Sequence, residues 1–436
     1  MSSEWRTVEI ASLCEGIFDG PHATPKKTAQ GPIFLGISSL ERGRLNLTNT
    51  EHLSEDDFSK WTKRVVPREG DIVFSYETRL GEVAIIPADL RCCLGRRMAL
   101  MRIDRTKALP EYVLYAYMAP AFQAVIKTRT VHGSTVDRIP LTEFGSFPIS
   151  VPSLRTQREI TEILGALDDR ITLLRETNKT LEAIAQTIFK SWFVDYEPVR
   201  SKMEGRQPEG MDEETAALFS DSLEESELGL VPNGWHWGSL DDLSTLNPES
   251  WTAKKHPEIL KYVDLSNTKE NIISGASMLS FEAAPSRARR VLRKGDSIVG
   301  TVRPGNKSYA FITSDFENLT GSTGFAVLRP KNLELAEFIY ISATRESVIE
   351  HLTHIADGGA YPAIRPEAVA KVRVVIPSDK ALEKFHQIVS PLFESIANNQ
   401  SRMEVLTSMR DTLLPRLISG QIRLPEAQER AENALS

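Results

Sequence analysis

The chain carries one plan twice, at an offset of about 225 residues. Trp5, Ile10 and Leu13 are answered by Trp235, Leu240 and Leu243. A Gly-Asp pair leads an apolar run at Gly70-Asp71-Ile72-Val73-Phe74 and again at Gly295-Asp296-Ser297-Ile298-Val299. A loop of small residues precedes a run that ends in proline, Gly133-Ser134 to Val151-Pro152 and Gly358-Gly359 to Ile376-Pro377. A repeat of this length exceeds the ~20–50 residues of a solenoid unit. It marks a duplicated domain, and so two similar surfaces on one polypeptide. That arrangement suits the reading of a two-part target.

Each repeat ends in a heptad pattern. Apolar positions step by three and four through Leu164, Leu167, Ile171, Leu174, Asn178, Leu181, Ala185, Ile188 and Trp192. The second copy runs Val389, Leu392, Ile396, Asn399, Met403, Leu406, Arg410, Leu413 and Leu417. Such a/d spacing predicts a coiled-coil seam. A helix over about 156–192 is ~55 Å long at 1.5 Å per residue. One small domain cannot cover it, and the chain supplies a stripe of equal length. The internal duplication predicts an antiparallel, pseudo-twofold pair. Asn178 and Asn399 fall on the seam, where polar residues fix register at a cost in stability. The edge of an imperfect stripe would accommodate them equally.

The parts before the helices read as short strands with few helices. Strands are expected at 33–37, 71–75, 83–86, 98–103 and 145–151, then at 297–299, 309–313, 324–328 and 372–376. Single helices are expected over 111–127 and 334–351. The fold class is therefore α+β. The organisation expected is a domain at 1–153, a helix at 154–200, an acidic linker at 201–232, a second domain at 233–377, a second helix at 378–425 and a tail at 426–436.

The formal net charge of −7 is concentrated. Residues 197–234 hold 3 basic and 10 acidic side chains, and each repeat is nearly neutral and rich in Arg. A neutral domain can carry a basic face, so the balance does not exclude nucleic acid. The linker reads mostly as a solvated connector with room for a short helix at 212–220, and an acidic interaction site is the other reading. No apolar run approaches the ~18 residues of a membrane span. Met1-Ser2-Ser3-Glu4-Trp5 lacks the basic start of a signal peptide, so a cytoplasmic location is expected. Cys14, Cys92 and Cys93 are odd in number and form no Cys-x-x-Cys pair, which predicts buried thiols.

Three near-motifs stop short of catalysis. Gly300 to Ser308 resembles a phosphate-binding loop with one residue too many before Lys307. Asn247-Pro248-Glu249-Ser250 resembles an adenine-methyltransferase motif without its second proline and aromatic. His351 and His354 share a helix without a third ligand.

Pro152-Ser153-Leu154-Arg155-Thr156-Gln157-Arg158-Glu159-Ile160 resembles the helix-start motif of the specificity subunits of Type I restriction–modification systems. The run Ile188 to Val199 resembles that family's central conserved region, and Leu413 to Ile422 its C-terminal one. Gly133-Ser134-Thr135 with Ile139 resembles the loop that closes its target-recognition domains. The second repeat departs at Pro377-Ser378-Asp379-Lys380-Ala381-Leu382, which lacks the Leu and Gln. The resemblance implies two target-recognition domains, each reading half of a bipartite, asymmetric double-stranded DNA site in the major groove. It implies that the paired helices set the half-site spacing and dock two modification (adenine methyltransferase) subunits, with restriction (motor-nuclease) subunits completing the complex. No catalytic residue, metal or cofactor is expected in this chain. S-adenosylmethionine, ATP and Mg would be used by the partner subunits.

Guanine is read by Arg or Lys, adenine by Asn or Gln, and cytosine by acids. The first repeat offers Arg42, Arg44, Arg79, Arg96, Arg97, His132, Ser134, Thr135 and Arg138. The second offers Lys254, Lys255, Arg287, Arg289, Arg303, Asn306, Lys307, Tyr361 and Arg365. Any one of these could equally be a solvated surface charge; as sets on matching loops they point to DNA. The helix seam is expected at Leu164, Leu167, Ile171, Leu174, Asn178, Leu181, Val389, Leu392, Ile396, Asn399, Met403 and Leu406. Phe189, Trp192 and Phe193 are expected to bind a partner. The alternative is a coiled-coil scaffold that does not touch DNA.

Overall fold

The computed structural model describes residues 5–48, 50–133, 136–359 and 361–435. It divides into two compact units, Met1–Leu173 with Arg402–Ser436, and Leu174–Ser401. In the first, an antiparallel sheet has the spatial order Cys14–Asp19, Met98–Ile103, Ile72–Ser75, Val83–Ile85. A second sheet orders Glu51–Leu53, Lys27–Leu35 and Cys92–Leu94. The first strand, Arg6–Glu9, pairs with Pro148–Val151 at the other end of the domain.

The second unit repeats this. Its antiparallel sheet orders Ser244–Leu246, Phe325–Pro330, Ser297–Gly300 and Tyr309–Phe311. Its second sheet orders Ser277–Ser280, Ile259–Val263, Leu319–Ser322 and Ala288–Val291. His236–Ser239 pairs with Arg373–Ile376. The sequence pattern did not reveal this second sheet. Ser277–Ser280 buries none of its residues and so shows no apolar alternation.

The Gly-Asp pairs have one physical cause. Gly70 and Gly295 adopt φ of 81° and 87°, open to glycine at no steric cost. The carboxylate that follows then turns inward. Asp71 accepts from the Arg68 backbone N–H at 2.9 Å and from Arg102 at 2.7 and 2.8 Å. Asp296 accepts from the Arg293 N–H at 2.8 Å and from Arg329 at 2.8 and 2.9 Å. Both carboxylates are buried, and each is satisfied by a bidentate guanidinium, the condition under which a buried charge is tolerated.

Each helix expected before the last strand is in fact two. Pro110–Met118 and Pro120–Arg129 are broken at Ala119, because the residue before a proline is pushed out of the helical region. Ala336–Thr344 and Glu346–His354 are broken at Arg345, which has the same extended backbone without a proline.

The two long helices are Leu154–Phe193 and Asp379–Ile418. Within the second unit they run antiparallel, since Asn178 meets Ile396 and Asn399 while Phe189 meets Phe385. Within the first unit, Asp168 accepts from Arg410 at 2.8 Å and from the Tyr115 hydroxyl at 2.8 Å. Leu164, Leu167, Ile171, Leu174, Val389, Ile396 and Leu406 are buried, and Leu181, Leu392 and Met403 are half-buried. Phe385 and Phe393, outside the heptad reading, are buried as deeply.

Gln157 explains the helix-start motif. It is fully buried, accepts from the Leu109 N–H at 2.8 Å and donates to the Pro152 carbonyl at 3.0 Å. In the second repeat the matching Leu335 N–H bonds to the Asn332 carbonyl at 3.0 Å. The glutamine is not needed there, and buried Leu382 takes its place.

Two expectations are corrected. Phe189, Trp192 and Phe193 form no exposed face but lie in the core. They are 3%, 6% and 5% exposed and meet Phe385, Phe219 and Phe338 with ring centroids 5.1–6.0 Å apart. The acidic segment is more ordered than a solvated connector with one short helix, which the structure places at Glu213–Ala216. It forms a helix at Glu197–Met203 and a hairpin of Leu223–Ser226 with Gly229–Pro232, and it buries Phe219 and Val231. Its acids lie on the exposed side, where Met203, Leu228 and Leu230 are also exposed. The three cysteines are free, and burial pushes each thiol up to about 12. Among the described residues no helix is long and apolar enough to cross a membrane.

Candidate nucleic-acid interface

In each unit one loop following a central strand is stitched to the loop before the last short helix. The Ile139 N–H donates to the Tyr76 carbonyl at 2.8 Å, and the Ile364 N–H to the Thr301 carbonyl at 2.9 Å. The Thr78 N–H donates to the Asp137 carbonyl at 3.5 Å, and the Arg303 N–H to the Pro362 carbonyl at 2.7 Å. Glu77 bridges Arg138, and Val302 bridges Ala363. Every member of the second set lies 225 residues after its counterpart. Thr78 and Arg303 are both left-handed, with φ of 71° and 48°. Such strain persists only where the surroundings impose it, and it gathers at ligand-contacting sites.

The frames match but the side chains do not. In the second unit the Arg303 guanidinium lies 4.7 Å from the centre of the Tyr361 ring, and Tyr361 is 72% exposed. Pro304–Asn306 forms one tight turn beside them. In the first unit Arg97 lies 3.1 Å from Glu77 and donates to the Thr78 hydroxyl at 3.2 Å. His132 lies 3.1 Å from Asp137. Ser134 and Thr135 fall outside the described residues. Sequence reasoning did not single out Thr78 or Asp137; their alignment with Arg303 and Pro362 was the available signal.

These paired domains match known proteins. Residues 2–183 match the family model described as the Type I restriction modification DNA specificity domain. The chain is 25% identical over 414 residues to the Type I restriction enzyme MjaIX specificity subunit of Methanocaldococcus jannaschii, covering 94% of this chain and 88% of that protein. It is 26% identical over 415 residues to the Type I restriction enzyme HindI specificity subunit of Haemophilus influenzae, covering 81% and 87%. Over most of its length the chain is similar to the specificity subunits of Type I restriction–modification systems. The fold agrees: the crystal structure of a Type I S subunit from M. genitalium superposes with a TM-score of 0.55 at 16% identity, over 96% of this chain and 97% of that one.

The cations of the candidate interface divide by how they are held. Arg44 pairs with Asp169 at 3.1 Å, Arg79 with Glu82 at 2.9 Å, Arg287 with Asp264 at 2.6 Å and Lys307 with Glu346 at 2.7 Å. Arg289 lies over Phe281 at 4.4 Å. Among the described residues Arg42, Arg96, Arg138, Lys254, Lys255 and Arg365 form no ion pair with a carboxylate, and all six are exposed. Their charge is the more available to phosphates and base edges. Asn306 is exposed on its turn.

The near-motifs have structural work in this chain. The Asn247 side chain accepts from the Val327 N–H at 3.0 Å. Glu249 accepts from Arg293 at 2.7 and 2.9 Å and also pairs with Arg329. The Lys307 ammonium, held by Glu346, does not point into a phosphate cradle of its own.

Proposed function

We propose that each mostly-β domain reads one half of a bipartite, asymmetric DNA site through the major groove, and that the paired long helices set the half-site spacing and dock two modification subunits. The carrying observation is the matched pair of strained, stitched loops, Thr78–Asp137 and Arg303–Pro362. One backbone frame presents two different sets of side chains, so two surfaces of one kind read different bases. Helices of 40 residues, ~60 Å at 1.5 Å per residue, supply a stiff spacer.

In this reading the chain takes no cofactor of its own and works in the cytoplasm. The modification subunits use S-adenosylmethionine to methylate adenine, and restriction subunits use ATP and Mg. The test is an exchange of residues 1–150 for those of a relative, co-expressed with the modification subunit, with modified adenines mapped by single-molecule sequencing. One half-site changes and the other stays. A change in both halves would overturn the modular reading.

A further inference from the structure

The second unit holds a cavity of about 250 Å³ whose lining includes none of the candidate DNA-contacting residues. Phe189, Phe193 and Tyr196 from the end of the first long helix form one wall, and Trp237, Ser342 and Arg345 form another. Three donors there are buried without a hydrogen-bond partner among the described residues: Trp237 Nε1, Ser342 Oγ and Arg345 Nε. Ser342 is fully buried. Arg345 lies 5.6 Å from the centre of the Phe189 ring and forms no ion pair with a described carboxylate. Burial pulls its guanidinium down, with only the Tyr196 phenol opposing. Arg373 lines the cavity on the neighbouring strand and is exposed. Tyr196 is held in a left-handed conformation with φ of 55°.

An orphaned buried donor gives up its hydrogen bond to water for nothing in return, and the loss is greater when the donor is charged. Buried charges are as a rule paired. A guanidinium beside an indole N–H and a hydroxyl, all without acceptors, is a receptor for an anion. The planar fork of Arg matches a carboxylate with two parallel bonds. A phosphate of duplex DNA is fixed on a stiff backbone and cannot leave it to enter a recess, whereas a Glu side chain reaches in on a flexible stem. The feature belongs to one repeat only. The junction between the paired short helices is Arg345 in the second unit and buried Ala119 in the first.

We propose that this cavity is a carboxylate receptor that takes an acidic side chain of the modification subunit, with Arg345, Trp237 and Ser342 as its ligands. The identity of the partner rests on the docking role proposed above; the carboxylate site does not.

Two measurements test the parts separately. In the ¹⁵N-labelled full chain, titration with glutarate shifts the indole N–H resonance of Trp237, and Arg345→Met abolishes the shift. No shift with glutarate, or an equal shift with inorganic phosphate at the same ionic strength, would overturn the carboxylate assignment. In the second, purified chain is titrated with purified modification subunit. Arg345→Met and Trp237→Phe each weaken binding at least about tenfold, and Arg345→Lys less, because it keeps the charge but not the fork. The Arg345→Met chain keeps or raises its melting temperature, since an unpaired, half-buried charge is gone. A glutarate response with unchanged subunit affinity would refute the partner while leaving the receptor. Failure of the wild-type chain to bind the subunit would refute the docking role itself.

Discussion

Asn399 Nδ2 donates to Asn178 Oδ1 at 2.8 Å across the helix seam, and Asn178 Nδ2 donates to the Ile396 carbonyl at 3.3 Å. Both side chains are half-buried. The pair locks one register, because any slip places an amide against Leu or Ile. Asn178→Leu leaves the Asn399 amide without its acceptor and costs ~1–3 kcal/mol. The double variant, with Asn399→Leu, recovers most of this stability, since both polar groups are gone. A double-mutant cycle by urea unfolding measures it. Additive losses would show that the two do not interact.

Gln157 closes two backbone groups at the start of the first long helix. Gln157→Leu leaves the Leu109 N–H and the Pro152 carbonyl unpaired, a loss of ~2–4 kcal/mol at ~1–3 for each group. Leu382→Gln in the second repeat recovers nothing, because Leu335 already has its partner. Melting temperatures of the two variants check this.

Glu249 gives the second unit a sensitivity to acid. Arg293, and after it Arg329, hold its carboxyl down at about 2 against an ordinary 4.5. A depressed carboxylate contributes stability that is full above the unfolded value and lost as pH falls through the folded one. The contribution therefore fades between pH 4.5 and about 2. The carboxylate is 40% exposed, so solvent screens much of the attraction. Urea midpoints at pH 5 and pH 3 should fall further for the wild type than for Glu249→Gln. Equal falls would show that the pair is electrostatically idle.

The helices can be lengthened without breaking their seam. Seven residues, one heptad, inserted after Arg175 and again after Arg402 add ~10 Å to each helix. DNA rises ~3.4 Å per base pair, so the spacer between half-sites grows by about two or three base pairs. The half-sites stay the same. Methylation mapping reads both, and an unchanged spacer at full activity would rule out the ruler.

The duplication, the strand–helix order and the long helices were legible because they depend on local period and on a repeat that needs no partner to be seen. The Gly-Asp turns were visible as motifs, but Arg102 and Arg329 were not, because nothing local ties them to Asp71 and Asp296. The burial of Phe189, Trp192 and Phe193 was hidden for the same reason. An aromatic run at a helix end carries no sign that Phe338 and Phe385, distant in sequence, will cover it. The acid-rich segment hid Phe219 and Val231 behind its composition. At the candidate interface, charge type was legible and pairing was not. Arg79 and Arg138 look alike in sequence, yet Glu82 neutralises only the first.

The central claim is that two matched loop frames read two half-sites independently. It is tested by co-expressing the chain with its modification subunit and mapping modified adenines for the wild type, for Arg138→Ala and for Arg303→Ala with Tyr361→Ala. The wild type marks one bipartite site with unlike halves. Arg138→Ala relaxes or abolishes recognition of one half alone, and the Arg303 and Tyr361 variant does so for the other half alone. If either variant alters both halves, or if both act on the same half, the two-frame account is wrong.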